Sequence, residues 1–266
     1  MPLTTFAGGR LFGVRYGTEA PWVLALHGWQ RSHRDFSAVL EGIASVALDL
    51  PGFGVAPPPP EGWTTADYAK WLAPIVDEMA DEVVVLGHSF GGRVALHLGV
   101  ARPDRVAAMV LTGVPLTRPP GVRRRRPPLP FRVARALHGA GLVGTSRMEA
   151  IRQRYGSSDY RAAHGVMRDV LVKAVNEDYL DVLKEFRGPV EMVWGEDDTT
   201  APVAAARVAE AACPGVHLSV LPAVDHFTPR RAPAALRAAL LGLRPGGSAP
   251  APGPGAALPA AGDPGP

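Results

Sequence analysis

A serine between two glycines stands out among the residues that could do chemistry. Residues 87–91 are Gly-His-Ser-Phe-Gly. The five residues before them are mostly branched apolar residues, which predicts a buried strand, and residues 92–101 have the apolar periodicity of a helix. A serine at such a turn needs small neighbours and exposes its hydroxyl at the N-terminus of the helix. This arrangement indicates nucleophilic attack by Ser89 on an acyl group.

Serine chemistry of this kind also needs a base, an acid that orients the base, and donors for an oxyanion. His226 follows the last predicted strand, which places it in a loop at the carboxyl end of that strand. Earlier in the chain, the predicted strand 190–194 is followed by two adjacent carboxylates, Asp197 and Asp198. The chain order is therefore serine, aspartate, histidine, and from the residues alone either aspartate could orient His226.

The elements that must position these residues alternate between strand-like apolar runs and helical patterns. This alternation predicts an α/β protein with a mainly parallel sheet of about eight strands and helices on both faces. One helix begins after Thr64, which is predicted as its N-cap with Asp67 three residues later, as in a capping box, and a kink is predicted at Pro74. The predicted strands are residues 4–7, 11–16, 22–26, 46–48, 83–86, 106–111, 190–194 and 218–221.

The chain divides into a core, an insertion and a tail. Residues 1–115 and 189–243 carry the alternating pattern of the core, whereas residues 116–188 lack it and are predicted to form a helical cap insertion. Residues 244–266 are rich in proline and glycine, so we expect them to be disordered. The insertion is basic, because residues 116–187 carry 15 Lys and Arg against 7 Asp and Glu.

Charge and composition limit the classes of function. A net charge of only +3 argues against a nucleic-acid-binding protein. The run Arg123–Arg126 is either a solvated arginine segment or a basic rim that attracts anionic substrates or an acidic partner. No apolar run approaches the roughly 18 residues of a membrane span, and the first residues lack a signal-peptide pattern, so we expect a soluble, cytoplasmic protein. Cys213 is the only cysteine, which excludes an internal disulfide.

The glycine-flanked serine and the order serine, aspartate, histidine resemble the α/β-hydrolase fold family. The resemblance extends over nearly all of residues 1–243. Residues 26–29, Leu-His-Gly-Trp, resemble the family's His-Gly loop, and residues 49–54, Asp-Leu-Pro-Gly-Phe-Gly, resemble its Pro-Gly-x-Gly turn. In the family an aspartate stands three residues after a glycine and four before a proline. Asp198 matches that spacing and Asp197 does not.

The resemblance implies a role for each matching residue. Ser89 would be the nucleophile, His226 the base and Asp198 the acid that orients it. The backbone N–H groups of Trp29 and Phe90 would form the oxyanion hole. His27 and His88, which lie near the motifs, are expected to be structural. Asp225 replaces the family's usual glycine, and it could raise the pKa of His226 or compete as the partner of that histidine.

The resemblance further implies a serine hydrolase that cleaves a small carboxylic ester through an acyl-enzyme, with no metal or organic cofactor. Its partner would be a small-molecule acyl substrate, and a monomer is favoured while the oligomeric state stays open. A serine nucleophile argues against haloalkane dehalogenase or epoxide hydrolase chemistry, which uses a carboxylate. Carbon–carbon bond hydrolysis, thioester hydrolysis and perhydrolysis remain open, as does a non-catalytic binding protein of the same fold.

Overall fold

An eight-stranded sheet runs through the part of the chain that the structure describes, residues 2–117, 128–155 and 158–246 of a computed structural model. The run Arg123–Arg126 and nearly all of the predicted disordered tail lie outside these residues. The strands are β1 (Leu3–Phe6), β2 (Leu11–Tyr16), β3 (Val23–Leu26), β4 (Ser45–Asp49), β5 (Val83–His88), β6 (Val106–Thr112), β7 (Val190–Gly195) and β8 (Val216–Leu221).

The sheet has the strand order β1-β2-β4-β3-β5-β6-β7-β8. β2 pairs antiparallel with β1 and β4, and every later pairing is parallel. The predicted fold class, a mainly parallel sheet of about eight strands, is confirmed. β5 extends beyond its apolar run, because His88 continues the main-chain register opposite Thr112. A prediction based on apolar runs alone therefore placed the end of this strand too early, because the strand ends on a polar residue.

Helices cover both faces of the sheet. Short 3₁₀ segments span His33–Phe36 and Ala73–Glu78. Within the described residues the α-helices are α1 (Ser37–Leu40), α2 (Thr65–Leu72), α3 (Phe90–Ala101), α4 (Leu129–Gly139), α5 (Thr145–Tyr155), α6 (Ser158–Ala162), α7 (Val166–Asn176), α8 (Leu180–Glu185), α9 (Val203–Ala212), α10 (Thr228–Arg231) and α11 (Pro233–Gly242).

Alternate residues of the central strands enter two separate apolar clusters. In β3, Leu24 and Leu26 face the cluster that contains side chains of α2, α3 and α9. Val23 and Ala25 face the opposite cluster, which contains side chains of α1 and α11. This period of two places each successive side chain on opposite faces of the sheet. Both faces are buried, which explains why the parallel strands are continuous apolar runs.

The helix after Thr64 differs from its prediction in one respect. Thr64 forms the expected capping box with Asp67. However, α2 ends at Leu72 and a 3₁₀ segment follows, so the prediction of one continuous α-helix through Pro74 was wrong. Pro74 has no N–H to donate to the carbonyl of residue 70, and the chain tightens into 3₁₀ turns there.

Five helices, α4 to α8, lie between β6 and β7 in the described ranges. α7 and α8 belong to the same apolar cluster as the sheet, through residues such as Val170 and Leu183. α4 and α5 each bury only one residue, Ala134 and Met148 respectively. Across the described ranges, no helix is both long and apolar enough to cross a membrane.

Close contact between α3 and the sheet depends on glycine. A Cβ atom at Gly91 would collide with the main-chain carbonyls of Leu26 and His27, which cannot move without disturbing β3. Gly139, in contrast, lies at the end of α4 with no atom near the position of a Cβ. The two helical glycines therefore differ in the space around them.

We expect Gly91→Ala to lower the free energy of unfolding by about 3 kcal/mol or more, because the added methyl group overpacks a rigid site. Gly139→Ala, the matched control, should raise it by at most about 1 kcal/mol, since alanine favours helices. Urea unfolding followed by circular dichroism measures both. Equal effects of the two substitutions would contradict the proposed close contact.

Candidate active site

Ser89 lies at the tight turn between β5 and α3. Its backbone has φ 51° and ψ −111°, a conformation that residues with a side chain rarely adopt. The Ser89 N–H donates to the carbonyl of Thr112 on the neighbouring strand, at 3.0 Å. A Cβ atom at Gly87 would lie only 2.5 Å from the Cα atom of Gly92. The turn is thus the one predicted from the glycine-flanked serine.

The structure brings Ser89, His226 and Asp198 into one hydrogen-bonded chain. His226 Nε2 lies 3.1 Å from Ser89 Oγ, and His226 Nδ1 lies 2.8 Å from Asp198 Oδ2. Because a carboxylate only accepts, Nδ1 carries the proton and Nε2 is left to accept the proton of the serine hydroxyl. Gly113 at the end of β6 leaves room for the imidazole, since a Cβ atom there would lie 3.0 Å from the ring.

Of the two adjacent aspartates, Asp198 is the one that faces the histidine. Its side chain is completely buried, and its second oxygen, Oδ1, accepts the N–H groups of Thr200 at 2.9 Å and Ala201 at 2.7 Å. Both carboxylate oxygens are therefore satisfied. Asp197 is exposed on the surface. This geometry agrees with the residue that the family spacing favours.

Asp225 does not take the place of Asp198. Its carboxylate accepts the N–H of Phe227 at 2.9 Å and lies 3.3 Å from Nε of Arg231. Asp225 therefore holds the loop at the start of α10, and the hypothesis that it competes for the His226 ring does not agree with these bonds.

His88 makes a contact that the sequence did not reveal. Its Nε2 donates to the main-chain carbonyl of His226 at 2.9 Å, and the centroids of the two rings are 5.0 Å apart. Nδ1 is buried and has no hydrogen-bond partner among the described residues. Burial, with a smaller contribution from the nearby His226, lowers the pKa of His88 to about 4. The ring is thus a neutral donor that fixes the backbone carrying His226.

His27 braces the loop that follows β3, as expected from the sequence. Its Nδ1 donates to the carbonyl of Gly28 at 2.7 Å, and its Nε2 accepts the N–H of Leu50 at 3.0 Å. Burial lowers the pKa of His27 to about 4. A Cβ atom at Gly28 would lie 2.8 Å from Nδ1 of His88, so the loop and the histidine are closely packed.

The amide N–H groups of Trp29 and Phe90 have no hydrogen-bond partner within the described ranges. Phe90 is the first residue of α3, where the helix dipole is positive. The Trp29 and Phe90 rings pack edge to face with centroids 5.4 Å apart, and Phe53 contacts both. Two free amides on elements joined by packed aromatic rings are therefore available near Ser89.

No group of three His, Cys, Asp or Glu side chains that could hold a metal ion occurs in residues 2–117, 128–155 and 158–246. The chemistry that these residues themselves can perform is proton transfer between Ser89 and His226, with Asp198 orienting the imidazole.

Two curated proteins illustrate the similarity in sequence. Lipase LipV of Mycobacterium tuberculosis is 44% identical over 102 residues, which are 36% of this chain and 39% of LipV. The pimeloyl-[acyl-carrier protein] methyl ester esterase of Aromatoleum aromaticum is 27% identical over 219 residues, which are 70% of this chain and 83% of that protein. The match to LipV therefore spans well under half the length of either protein.

The fold has counterparts among solved structures. A thermophilic esterase from Thermogutta terrifontis superposes with a TM-score of 0.61 at 22% identity, over 90% of this chain and 94% of that chain. At this level of identity the likeness concerns the fold. The model of the alpha/beta hydrolase family matches residues 23–239, a range that contains Ser89, Asp198 and His226. This chain belongs to the alpha/beta hydrolase family.

Proposed function

We propose that this protein is a serine hydrolase that cleaves a small carboxylic ester through an acyl-enzyme. The observation that carries the proposal is the pair of hydrogen bonds from Ser89 to His226 and from His226 to Asp198, at 3.1 Å and 2.8 Å. Both distances lie within the range needed for proton transfer and orientation. The names of the relatives, a lipase and a methyl ester esterase, support ester hydrolysis.

In the first half-reaction, Ser89 Oγ attacks the ester carbonyl while His226 Nε2 removes the hydroxyl proton. The carbonyl oxygen becomes an oxyanion, which accepts hydrogen bonds from the backbone N–H groups of Trp29 and Phe90. Collapse of this tetrahedral intermediate breaks the ester bond, and His226 returns its proton to the leaving alcohol. The acyl group remains bound to Ser89.

In the second half-reaction, water replaces the alcohol. His226 removes a proton from the water, which attacks the acyl carbon. The bond between that carbon and Ser89 Oγ then breaks, His226 returns its proton to Ser89 Oγ, and the acid is released. Asp198 does not change its protonation, because its task is to stabilise the imidazolium and to keep Nδ1 pointing away from the serine. Its full burial and its two backbone donors fix the carboxylate in that orientation.

The neutral state of His88 favours proton transfer to His226. An uncharged His88 places no positive charge beside the imidazolium that forms on His226. We also propose that residues 116–188 act as a cap that shapes the acyl-binding region, which is supported by the packing of α7 and α8 into the core cluster. The acyl group that the site accepts then depends on the residues of this insertion.

We expect a fluorophosphonate probe to label the wild-type protein at Ser89, because the activated hydroxyl attacks phosphorus as it would a carbonyl. Ser89→Ala should remove the label while the circular dichroism spectrum stays unchanged. Ser146→Ala, a control at an exposed serine of α5, should keep it. Intact-protein mass spectrometry detects the adduct. Absence of labelling in folded wild-type protein would overturn the proposal and would favour the alternative, a non-catalytic binding protein of the same fold.

The neighbouring carboxylates provide a matched pair of variants. Asp198→Asn should lower kcat for 4-nitrophenyl butyrate by roughly 10³- to 10⁴-fold, because an amide at this place favours the wrong tautomer of His226. Asp197→Asn changes an exposed residue and should stay within about twofold of wild type. If Asp197→Asn proves the more damaging substitution, the assignment of the acid is wrong.

Protonation of His88 should weaken the fold in acid. Its pKa is about 4 in the folded protein and about 6.5 in the unfolded chain, so its contribution to stability is complete above pH 6.5 and is lost as the pH falls towards 4. Between pH 7 and pH 4.5 the loss from His88 amounts to roughly 2 kcal/mol and is absent in His88→Gln, whereas the loss from His27, whose pKa is also about 4, remains. Urea unfolding at pH 7 and pH 4.5 measures it, with the exposed His217→Gln as the control. The same pH dependence in both variants would contradict the prediction.

A further inference from the structure

An open cleft of about 680 Å³ lies beside the loops that carry Trp29 and His226. It is formed by the loop after β3, the 3₁₀ turn with α1, the Gly54 turn and α10. Its volume falls within the usual range of small-molecule sites, roughly 300–1,000 Å³. We call it the arginine cleft, because its charged lining consists of Arg31, Arg34, Asp35 and Arg230.

The cleft has an excess of positive charge. Arg31 is already neutralised, since its Nε and Nη2 atoms lie 2.6 Å and 2.5 Å from the two carboxylate oxygens of Asp35. The side chains of Arg34 and Arg230 are exposed, and neither has an ion pair or hydrogen bond to another described residue. Arg34 and Arg230 therefore line one cleft, and neither guanidinium pairs with a carboxylate of the described residues. A bound anion would reduce their mutual repulsion and engage their N–H groups.

A chain of ring contacts connects the cleft to the catalytic base. The guanidinium of Arg31 lies over the ring of Phe227, 5.3 Å from its centroid. The Phe227 ring is in turn 5.7 Å from the ring of His226. On the other side, Gln30 lines the cleft directly after Trp29 and has a left-handed φ of 55°. The Phe227 ring therefore lies between the Arg31 guanidinium at the cleft and the imidazole of His226.

We propose that the arginine cleft binds a carboxylate or phosphate group that belongs to the substrate and is distant from its scissile ester. This inference rests on the proposed function, and it defines the substrate class as esters with a remote anion. Arg34 and Arg230 each present a planar fork of donors, which suits the paired oxygens of both anions. Binding of the remote group holds the ester carbonyl near Ser89 and lowers KM.

The test uses pairs of esters that differ only in the remote charge. One series consists of mono-4-nitrophenyl esters of linear dicarboxylic acids with four to ten carbons, each compared with its neutral methyl-capped counterpart. A second series places a carboxylate or a phosphate on the alcohol side of acetyl esters. Wild-type protein should prefer the anionic member of at least one series at low salt, and the preferred chain length measures the distance from Ser89 to the cleft. The preference should decrease as salt screens the charges.

Substitution of the two unpaired arginines identifies the site. Arg34→Gln and Arg230→Gln should each lower the ratio of kcat/KM for the anionic ester to that for the neutral ester, by roughly 10- to 100-fold. The control Arg207→Gln, an exposed residue of α9 outside the cleft, should leave the ratio unchanged. Comparing a ratio within one variant removes the effect of partial misfolding.

The outcomes separate this inference from the proposed function. Hydrolysis of neutral esters without any preference for anionic ones would overturn the arginine cleft as a binding site and leave the serine hydrolase intact. A preference for anions that persists in Arg34→Gln and Arg230→Gln would also overturn it, because the charge would then be recognised elsewhere. Wild-type protein that hydrolyses no ester of either series and takes up no fluorophosphonate would overturn both.

Discussion

The conformation of Ser89 is the constraint on which the rest of the site depends. A residue with a side chain costs about 1–3 kcal/mol in such a backbone conformation, so the surrounding structure must enforce it. The hydrogen bond from Ser89 to Thr112 and the close approach of Gly87 to Gly92 do so. The turn directs the hydroxyl out of the sheet and places the first amide of α3 beside it. A less strained turn would continue as strand or helix and separate these two groups.

The parallel sheet converts this local turn into a site assembled from distant parts of the chain. Asp198 follows β7 and His226 follows β8, and both strands run in the same direction as β5, so all three residues lie at one edge. His226 is 137 residues from Ser89 along the chain, yet the two side chains are 3.1 Å apart. Packing through β6 and β7 fixes that distance, because each strand is paired on both sides. The hydrogen bond from His88 to the His226 carbonyl adds a direct connection between the end of β5 and the loop after β8.

The sequence was sufficient for those features that local patterns determine. Continuous apolar runs identified the strands, the capping box identified the start of α2, and spacing favoured Asp198, whose orientation in the structure agrees. Features that arise from packing between distant elements were not predictable. No pattern marks His88 as a partner of a carbonyl 138 residues away, and nothing in the spacing of Arg34 and Arg230 indicates that they face one cleft. The 3₁₀ segment after Leu72 was missed because Pro74 permits either a bend or a tighter turn.

The helix that presents Ser89 also fastens the insertion between β6 and β7. Arg93 of α3 is buried, donates to the carbonyl of Ala174 at 3.0 Å and lies over the ring of Tyr179 at 5.1 Å. The Tyr179 hydroxyl and Glu177 extend this network to Thr65 of α2. α7 and the turn that leads into α8 are therefore held by these polar bonds as well as by apolar contacts, whereas α4 to α6 bury almost no side chain. Because displacement of a helix costs free energy in proportion to what it buries, α4 to α6 can be displaced or altered in sequence at less cost to the site than α7.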